Sequence, residues 1–405
     1  VRRAIENIPK NYPTTNFTTK GYYRDYQKDS LGYVNLNEAL LQVFDSGFDA
    51  IDTATTKTRI YDYVQNQTFR RDTLADDAYN YSNWHKTINN AYLAPYNGNE
   101  FQILRVHDPI RNYKLNSFDF INNISEKDIL KNHSFKKMKD TYLDGERLYT
   151  IQVKKAHPNY SALGIMYIAK RDFAIHKLVY SVYDDRSPNN NGILEALGIK
   201  GKLIFEVSIE YNRGVTDKMY LNYISFHNTF RLAKPPKFKV EYLMVLAEER
   251  AFSLHFNNRL GIGTSAASNY WYEFKFKNEK IKFKRIDTKT DSVVKLYPSM
   301  SEKSLNNMFR ELVTMSNKRL EIGTVLNYKV TGLQDIDGNF LNIWTYKDYD
   351  QFREFFVQEV EHAYDHPPME ILMDKRRPIF DNQPIIKPDN FKDYWMNTPL
   401  KTLKE

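Results

Sequence analysis

From Arg147 onward, apolar and polar side chains alternate along the chain. Leu148–Val153 alternates, Leu163, Ile165 and Tyr167 alternate in the next run, and Ala174–Tyr183 runs back after a turn at Lys170–Phe173. Alternating runs joined by short turns predict an antiparallel meander. The pattern resumes over Lys202–Tyr211, Lys218–Leu232 and Lys239–Glu249. Asn212–Gly214 reads as a hairpin turn, and Pro235-Pro236 stays in a connection, outside the strands. All these runs are expected in one twisted sheet, with one face packed and the other solvated or lying over a groove.

Ahead of the sheet, Val1–Ile8 predicts a short helix that stops before Pro9, and Asn16–Gln27 predicts a strand rich in Thr and Tyr. Asn35 is placed to cap a helix, with Glu38 completing a capping box. Leu36, Ala39, Leu40, Val43 and Phe44 then recur at helical spacing, up to a stop at Asp45-Ser46-Gly47. Residues 50–140 are irregular and aromatic, and read as short helices and long loops. Beyond a loop at Phe252–Ser268, Tyr270–Lys277 and Lys280–Arg285 predict a hairpin. Glu302–Ser316 predicts a helix presenting Leu305, Met308, Phe309 and Leu312. Thr324–Thr331 is expected to pair with Phe340–Tyr346 across the Asp337-Gly338 turn. Phe352, Phe355, Phe356 and Val360 predict a last helix near Asp348–Tyr364, followed by an extended proline-dotted tail from Pro367.

The expected class is therefore α+β, dominated by a large antiparallel sheet with short packing helices. The expected regions are 1–145, packing on the sheet; 146–300, the sheet core; 301–366, a helix–hairpin–helix closing region; and 367–405, the tail. Composition narrows the function. The 405 residues include 41% hydrophobic and 15% aromatic side chains, enough for real cores and against global disorder. The absence of Cys excludes a disulfide scaffold, a thiolate zinc site and a cysteine nucleophile. No apolar run approaches the ~18 residues a membrane-spanning helix needs. The formal net charge of +8 is spread among nearly as many carboxylates, so no nucleic-acid partner is expected. A start at Val1 is expected of a processed export or of a portion of a longer chain.

Val1–Asp25, "VRRAIENIPKNYPTTNFTTKGYYRD", resembles the segment that follows a carboxypeptidase-regulatory-like β domain in exported proteins of Bacteroidota. "YVNLNEALLQVF" at Tyr33–Phe44, "LGIMYIAKRDFAIHKLVYSV" at Leu163–Val182 and "KMYLNYISFHNTF" at Lys218–Phe230 resemble later elements of that group in order. "EFFVQEV" and "DNFKDYWMNTPL" look like its closing elements. The family's central region is similar to the half-barrel of outer-membrane lipoprotein carriers. The resemblance implies a curved half-barrel-like sheet, export to the periplasm or cell surface of a didermal bacterium, and no peptidase activity. It brings no catalytic residues.

Candidate chemistry is sparse. His362-Ala363-Tyr364-Asp365-His366 mimics an H-x-x-E-H zinc motif, but Pro367 biases His366 away from helix, and a polar helix C-terminus explains it as well. Asp335-Ile336-Asp337-Gly338-Asn339 mimics the start of a calcium loop and reads first as an Asp-Gly hairpin. Gly261-Ile262-Gly263-Thr264-Ser265 lacks the Lys of a phosphate loop. Lys275, Lys277, Lys280, Lys282, Lys284 and Arg285 interleave with Phe274, Phe276, Ile281 and Phe283. That hairpin reads first as amphipathic packing, and second as a site for an anionic polymer or lipid headgroup. His107-Asp108 and His157-Pro158 are isolated. His176 and His227 are expected on strands, at the surface or half-buried. The 30 Tyr suit a binding surface as well as sheet packing. No catalytic, cofactor or metal residue is assigned. The leading expectation is a non-catalytic exported scaffold in an outer-membrane or cell-surface complex, with other envelope proteins as partners. The tail is expected to be a docking strap that can be removed without unfolding the β core. The alternatives are a carrier holding an acyl chain of a lipid or lipoprotein on the concave sheet face, an anionic glycan binder, and a metal-dependent hydrolase through His362 and His366.

Overall fold

In the computed structural model the alternating stretches do become strands, and so do two segments whose spacing predicted helices. The structure describes residues 1–78, 85–87, 96–115, 118, 128–143, 145–188, 199, 201–261, 266–362, 367–387 and 389. The early strands are β1 (Phe17–Asp29), β2 (Gly32–Asp45), β3 (Lys57–Gln65), β4 (Lys86–Thr87), β5 (Ser134–Lys137) and β6 (Thr141–Leu143). The meander is β7 (Glu146–Ala156), β8 (Tyr160–Ala169), β9 (Ile175–Pro188), β10 (Gly201–Arg213) and β11 (Met219–Lys234). Next come β12 (Val240–Leu246), β13 (Ala251–Phe256), β14 (Tyr272–Phe276), β15 (Glu279–Ile281), β16 (Phe283–Thr290), β17 (Val293–Pro298) and β18 (Leu326–Val330). The long β19 (Thr345–His362) closes the series. The class is α+β, built on a curved, mostly antiparallel sheet.

The chain forms two compact units, residues 1–232 with 347–405, and residues 233–346. The first unit carries a 12-stranded sheet in the order β3-β2-β1-β19-β11-β10-β9-β8-β7-β5, with β4 on β11 and β6 on β7. The meander is antiparallel throughout, as its short turns require. The second unit holds a 4-stranded sheet, β12-β13-β17-β16, and a 3-stranded one, β15-β14-β18, around a helix at Glu302–Asn317. The run Lys239–Glu249 was expected to extend the meander. Its strand β12 instead pairs with β13 in the second unit.

The segment from Asn35 is strand β2, not a helix. It lies between β1 and β3 and is buried on both faces. Leu40 packs with Tyr22 and Tyr61 on one side, while Ala39, Leu41 and Val43 join the main core on the other. Burial on both faces erases the alternation of a half-buried strand, and the apolar run then mimics a helical face. Asn35 sits at a left-handed φ of 56°, next to the irregular register of the β1–β2 pair, rather than at a helix cap. The predicted last helix is β19, whose buried face carries the polar Gln351 and Arg353 while its half-buried face carries Phe352 and Phe356, so the aromatic spacing does not follow burial. Phe352 and Phe356 stack on Tyr26 and Tyr22 across the sheet, and Phe355 points to the opposite face against Phe101. Thr324–Thr331 does not pair with Phe340–Tyr346 either. Strand β18 pairs with β14, and the Asp337-Gly338 turn closes a smaller loop from Leu333 to Leu341.

Between β1 and β19 the register shifts at Gly21, where a Cβ would meet the Phe356 carbonyl oxygen at 2.2 Å. Only glycine lets the two backbones approach this closely. A helix at Glu100–Val106, capped by the Asn99 side chain, lies over one face of the sheet. Its Phe101 ring meets Tyr23 and Phe355 edge-on, each at 5.3 Å. Arg353 of β19 is 1% exposed. It donates Nε–H to the Glu100 carboxylate and Nη1–H to Asn228 Oδ1 at 2.7 Å. One guanidinium thus ties the central strand to the helix and to β11. A second buried set joins Arg105 and Arg111 to Asp45, with Arg105 also on Asp52. Breaking one partner of such a set strands a buried charge.

Asp25 lies next to Glu100 inside this core. It accepts from Asn37 Nδ2 at 2.9 Å and from the Tyr23 hydroxyl at 3.0 Å. Burial, reinforced by the Glu100 carboxylate, pushes Asp25 up to about 7 from an ordinary 3.8. Between those values the folded chain keeps a proton that the unfolded chain has released. Stability therefore falls as pH rises through that window.

The described part of the tail packs within its own unit. Met373 N donates to Thr58 O, Ile385 bridges Ile60 in parallel, Ile386 N donates to Ile60 O, and Phe380 stacks on Tyr63. Met373 and Ile379 are buried in the main core. The tail thus covers the outer edge of β3, which would otherwise be an open template for pairing. These contacts favour a tail that supports the β core over a dispensable strap.

Three outcomes are expected. Gly21→Ala lowers unfolding free energy by about 3 kcal/mol in urea titration, because the clash falls on backbone. Truncation after Pro368 lowers the melting temperature and promotes aggregation, because it uncovers β3 and opens the core. Asp25→Asn gains stability relative to the native chain as pH is raised from about 4 to about 8, and a pH-independent difference would contradict the Asp25 assignment.

Candidate functional site

The basic, aromatic hairpin singled out in the sequence builds one wall of a groove in the second unit. Strands β14 and β15 pair with Phe276 opposite Glu279. The two turn residues, Lys277 and Asn278, take left-handed φ values of 50° and 69°, as a tight two-residue hairpin turn requires. The other wall is the helix Glu302–Asn317. Ser301 caps it, accepting from Ser304 N at 3.3 Å, and its buried face is the predicted one: Leu305, Met308, Phe309 and Leu312.

Between the walls lies a groove of about 810 Å³. That volume lies within the range of small-molecule sites. Its apolar lining comes from Phe276, Ile281, Met300, Met308, Met315 and Leu320. Ile281 and Met308 are buried at its base, Phe276, Met300 and Met315 are half-buried, and Leu320 is 55% exposed. Cations sit at the rim: Lys277, Lys280, Arg310 and Lys318, against Glu279 and Glu311. Lys277 pairs with Glu311 at 2.7 Å, and Arg310 donates to Asn307 Oδ1 at 3.1 Å. Lys280 and Lys318 have no ion-pair partner among the described residues. Unbranched thioethers repack around ligands of irregular shape, and unpaired ammonium groups beside them attract an anion. The arrangement suits binding an amphiphile.

Only part of the basic run reaches the groove. Lys275 pairs with Glu273 at 3.1 Å, and Arg285 lies 3.7 Å over the Tyr297 ring. Lys282 and Lys284 do not line the groove. Sequence reasoning missed Arg310, Met315, Lys318 and Leu320. The signal was present on the exposed side of the helix, where basic and apolar residues alternate beside the buried face, but only the fold brings that side to the hairpin.

The other candidates separate. His362 ends β19 and pairs through Nδ1 with the Tyr220 hydroxyl at 2.9 Å. It is not on a helix, and Asp365 and His366 lie outside the described residues. Asp335 is 2% exposed and organises the small loop. It accepts from Asn339 N at 2.7 Å, Asp337 N at 3.1 Å and Asn258 Nδ2 at 3.0 Å. Burial raises its carboxyl, and these hydrogen bonds outweigh burial and hold it below the ordinary range. Gly261 N donates to Gln334 O, and residues 262–265 lie outside the described residues. His107 is buried, stacks on Phe226 at 3.9 Å and places Nδ1 2.6 Å from Ile103 O. Burial brings its imidazole down to about 4, so it is neutral and structural. Asp108 accepts from the Tyr211 hydroxyl at 2.6 Å. His157 stacks on Tyr160, and His227 stacks on Phe352 and sits 3.3 Å from Asp350. His176 is buried beside Glu146, deeper than expected. Among the described residues no cluster of three or more His, Asp or Glu is placed to hold a metal. No described helix is long and apolar enough to cross a membrane.

No family model and no curated protein matches the chain. Solved structures do show a likeness. One is an outer-membrane lipoprotein-sorting-type domain from Vibrio parahaemolyticus, 12% identical over 56% of this chain and 84% of that one, at a TM-score of 0.26. Another is a LolA superfamily protein from Nitrosomonas europaea, 8% identical with the same coverage, at 0.21. A third is the MucA/MucB complex of Pseudomonas aeruginosa, 8% identical over 76% of this chain and 95% of that one, at 0.18.

Proposed function

We propose that this chain is an exported, non-catalytic protein of the cell envelope that binds an amphiphile: an acyl chain carrying an anionic headgroup, as in a lipid or a lipoprotein. The observation that carries the reading is the groove beside the β14–β15 hairpin, where an apolar floor meets unpaired Lys280 and Lys318. An acyl chain buries hydrocarbon against Met300, Met308 and Met315, and the headgroup stays in water at the cationic rim. The reading takes up the carrier alternative and moves its site. The helix-covered face of the large sheet is filled by Phe101, Ile103 and Leu104, all at 0% exposure. The resemblance to exported Bacteroidota proteins accords with such an envelope role.

A scaffold role remains a second reading. On the other face of the large sheet, Tyr223, His227, Phe352 and Phe356 are only half-buried, and they offer a flat aromatic surface to another envelope protein. For the hydrolase alternative, His362 ends a strand, and His366 lies outside the described residues.

The test is titration of lipid-free protein with a fluorescent fatty acid and with lysophosphatidylglycerol. Saturable binding at roughly micromolar Kd is expected. Lys280→Glu with Lys318→Glu is expected to weaken it about tenfold, with the circular dichroism spectrum unchanged, and added salt weakens it further. Absence of saturable binding, or equal binding by the double variant, removes the groove from the reading.

A further inference from the structure

Strand β12 stands at the end of its sheet. β13 pairs with one of its edges. On the other side the chain returns only at Phe238, where Leu341 bridges it and Asn342 N donates to Phe238 O. Among the described residues no bridge continues beside Val240–Leu246, and Asn342 turns at a left-handed φ of 57°.

The core is unsealed along this edge. Leu243 and Val245 face the second unit's core but are only half-buried, whereas Phe252 and Leu254 of the adjoining β13 are at 0% exposure. On the outward face, Tyr242 and Met244 are 50% and 44% exposed. The strand carries no proline and a single charge, Glu241. Proteins guard an edge with prolines, inward charges or covering segments, and an unguarded apolar edge is a template for another strand.

Charge indicates which strand. The entry to β12 is basic, with Lys237 and Lys239, and its exit is acidic, with Glu248. All three are exposed, and none has an ion-pair partner among the described residues. We propose that β12 pairs antiparallel with β12 of a second copy of the chain, joining the two four-stranded sheets edge to edge across a twofold axis. With Leu243 at the axis, Val240 comes opposite Leu246, and Lys239 comes opposite Ala247 of the second copy, one residue short of Glu248 in the turn that follows β12. The contact is isologous, so the basic entry meets the acidic exit twice. A parallel arrangement would set lysine against lysine and glutamate against glutamate.

Sedimentation velocity of the full chain between roughly 1 and 200 µM, at low salt, tests this. The expected result is a concentration-dependent monomer–dimer equilibrium. Lys239→Glu weakens it about tenfold by placing like charges across the axis, and Lys239→Glu with Glu248→Lys restores it. Circular dichroism of each variant shows that the fold is kept. A chain that is monomeric throughout overturns the proposal and leaves the edge to an extended segment of a different protein. A dimer indifferent to the single reversal, or not rescued by the double one, overturns it as well.

Discussion

The large sheet is held in one piece by β19. It is the strand that joins the N-terminal block, β3-β2-β1, to the meander, β11 to β7. Its fit is set by backbone contact at Gly21 and by the Arg353 guanidinium. Glu100 and Asn228 satisfy that charge on two other elements, so the position of the covering helix and the pairing of the central strands are fixed together. A buried ion pair adds little net stability compared with apolar packing of the same volume. Its effect here is to make other placements of β19 costly, because each would leave a charge unpaired in the core.

That same burial decided which parts of the fold were legible. The meander β7–β11 was readable because each strand has one buried and one half-exposed face, so residues such as Leu163, Ile165 and Tyr167 alternate with buried neighbours. Strand β2 is buried on both faces, so its alternation is lost, whereas β19 alternates in burial but carries Gln351 and Arg353 on its buried face and Phe352 and Phe356 on the other. Leu36, Ala39, Leu40, Val43 and Phe44 satisfy a helical template and a doubly buried strand equally well. Only pairing partners far away in sequence separate the two, and a local pattern does not contain them. The helix at Glu302–Asn317 was legible for the opposite reason. It has one buried face and an exposed remainder, and its cap is local.

The groove divides in the same way. The hairpin wall could be read from Lys277, Asn278 and their neighbours, because turn chemistry and alternation are local. The helix wall supplied Arg310, Met315 and Lys318, which carry no distinguishing mark until the hairpin lies opposite them. The two units also treat charge differently. In the first, Arg105, Arg111 and Arg353 are buried and paired with carboxylates. In the second, Lys280 and Lys318 stay at the surface unpaired. Charge spent on internal pairing is unavailable to a ligand, whereas exposed charge beside an apolar floor is available.

The central place of β19 also governs when the chain can fold. β1 pairs on one side with β2, which follows immediately, and on the other with β19, so Phe17 faces both Asp45 and His362. During synthesis, the β1–β2 hairpin emerges long before the strand that completes it. Its inner edge stays open until β19 has appeared. Contacts of such sequence separation close slowly, and open strand edges invite pairing with other molecules in the interval. The first unit is thus expected to fold only once β19 has arrived, whereas the second, a contiguous stretch of residues 233–346, can close before it.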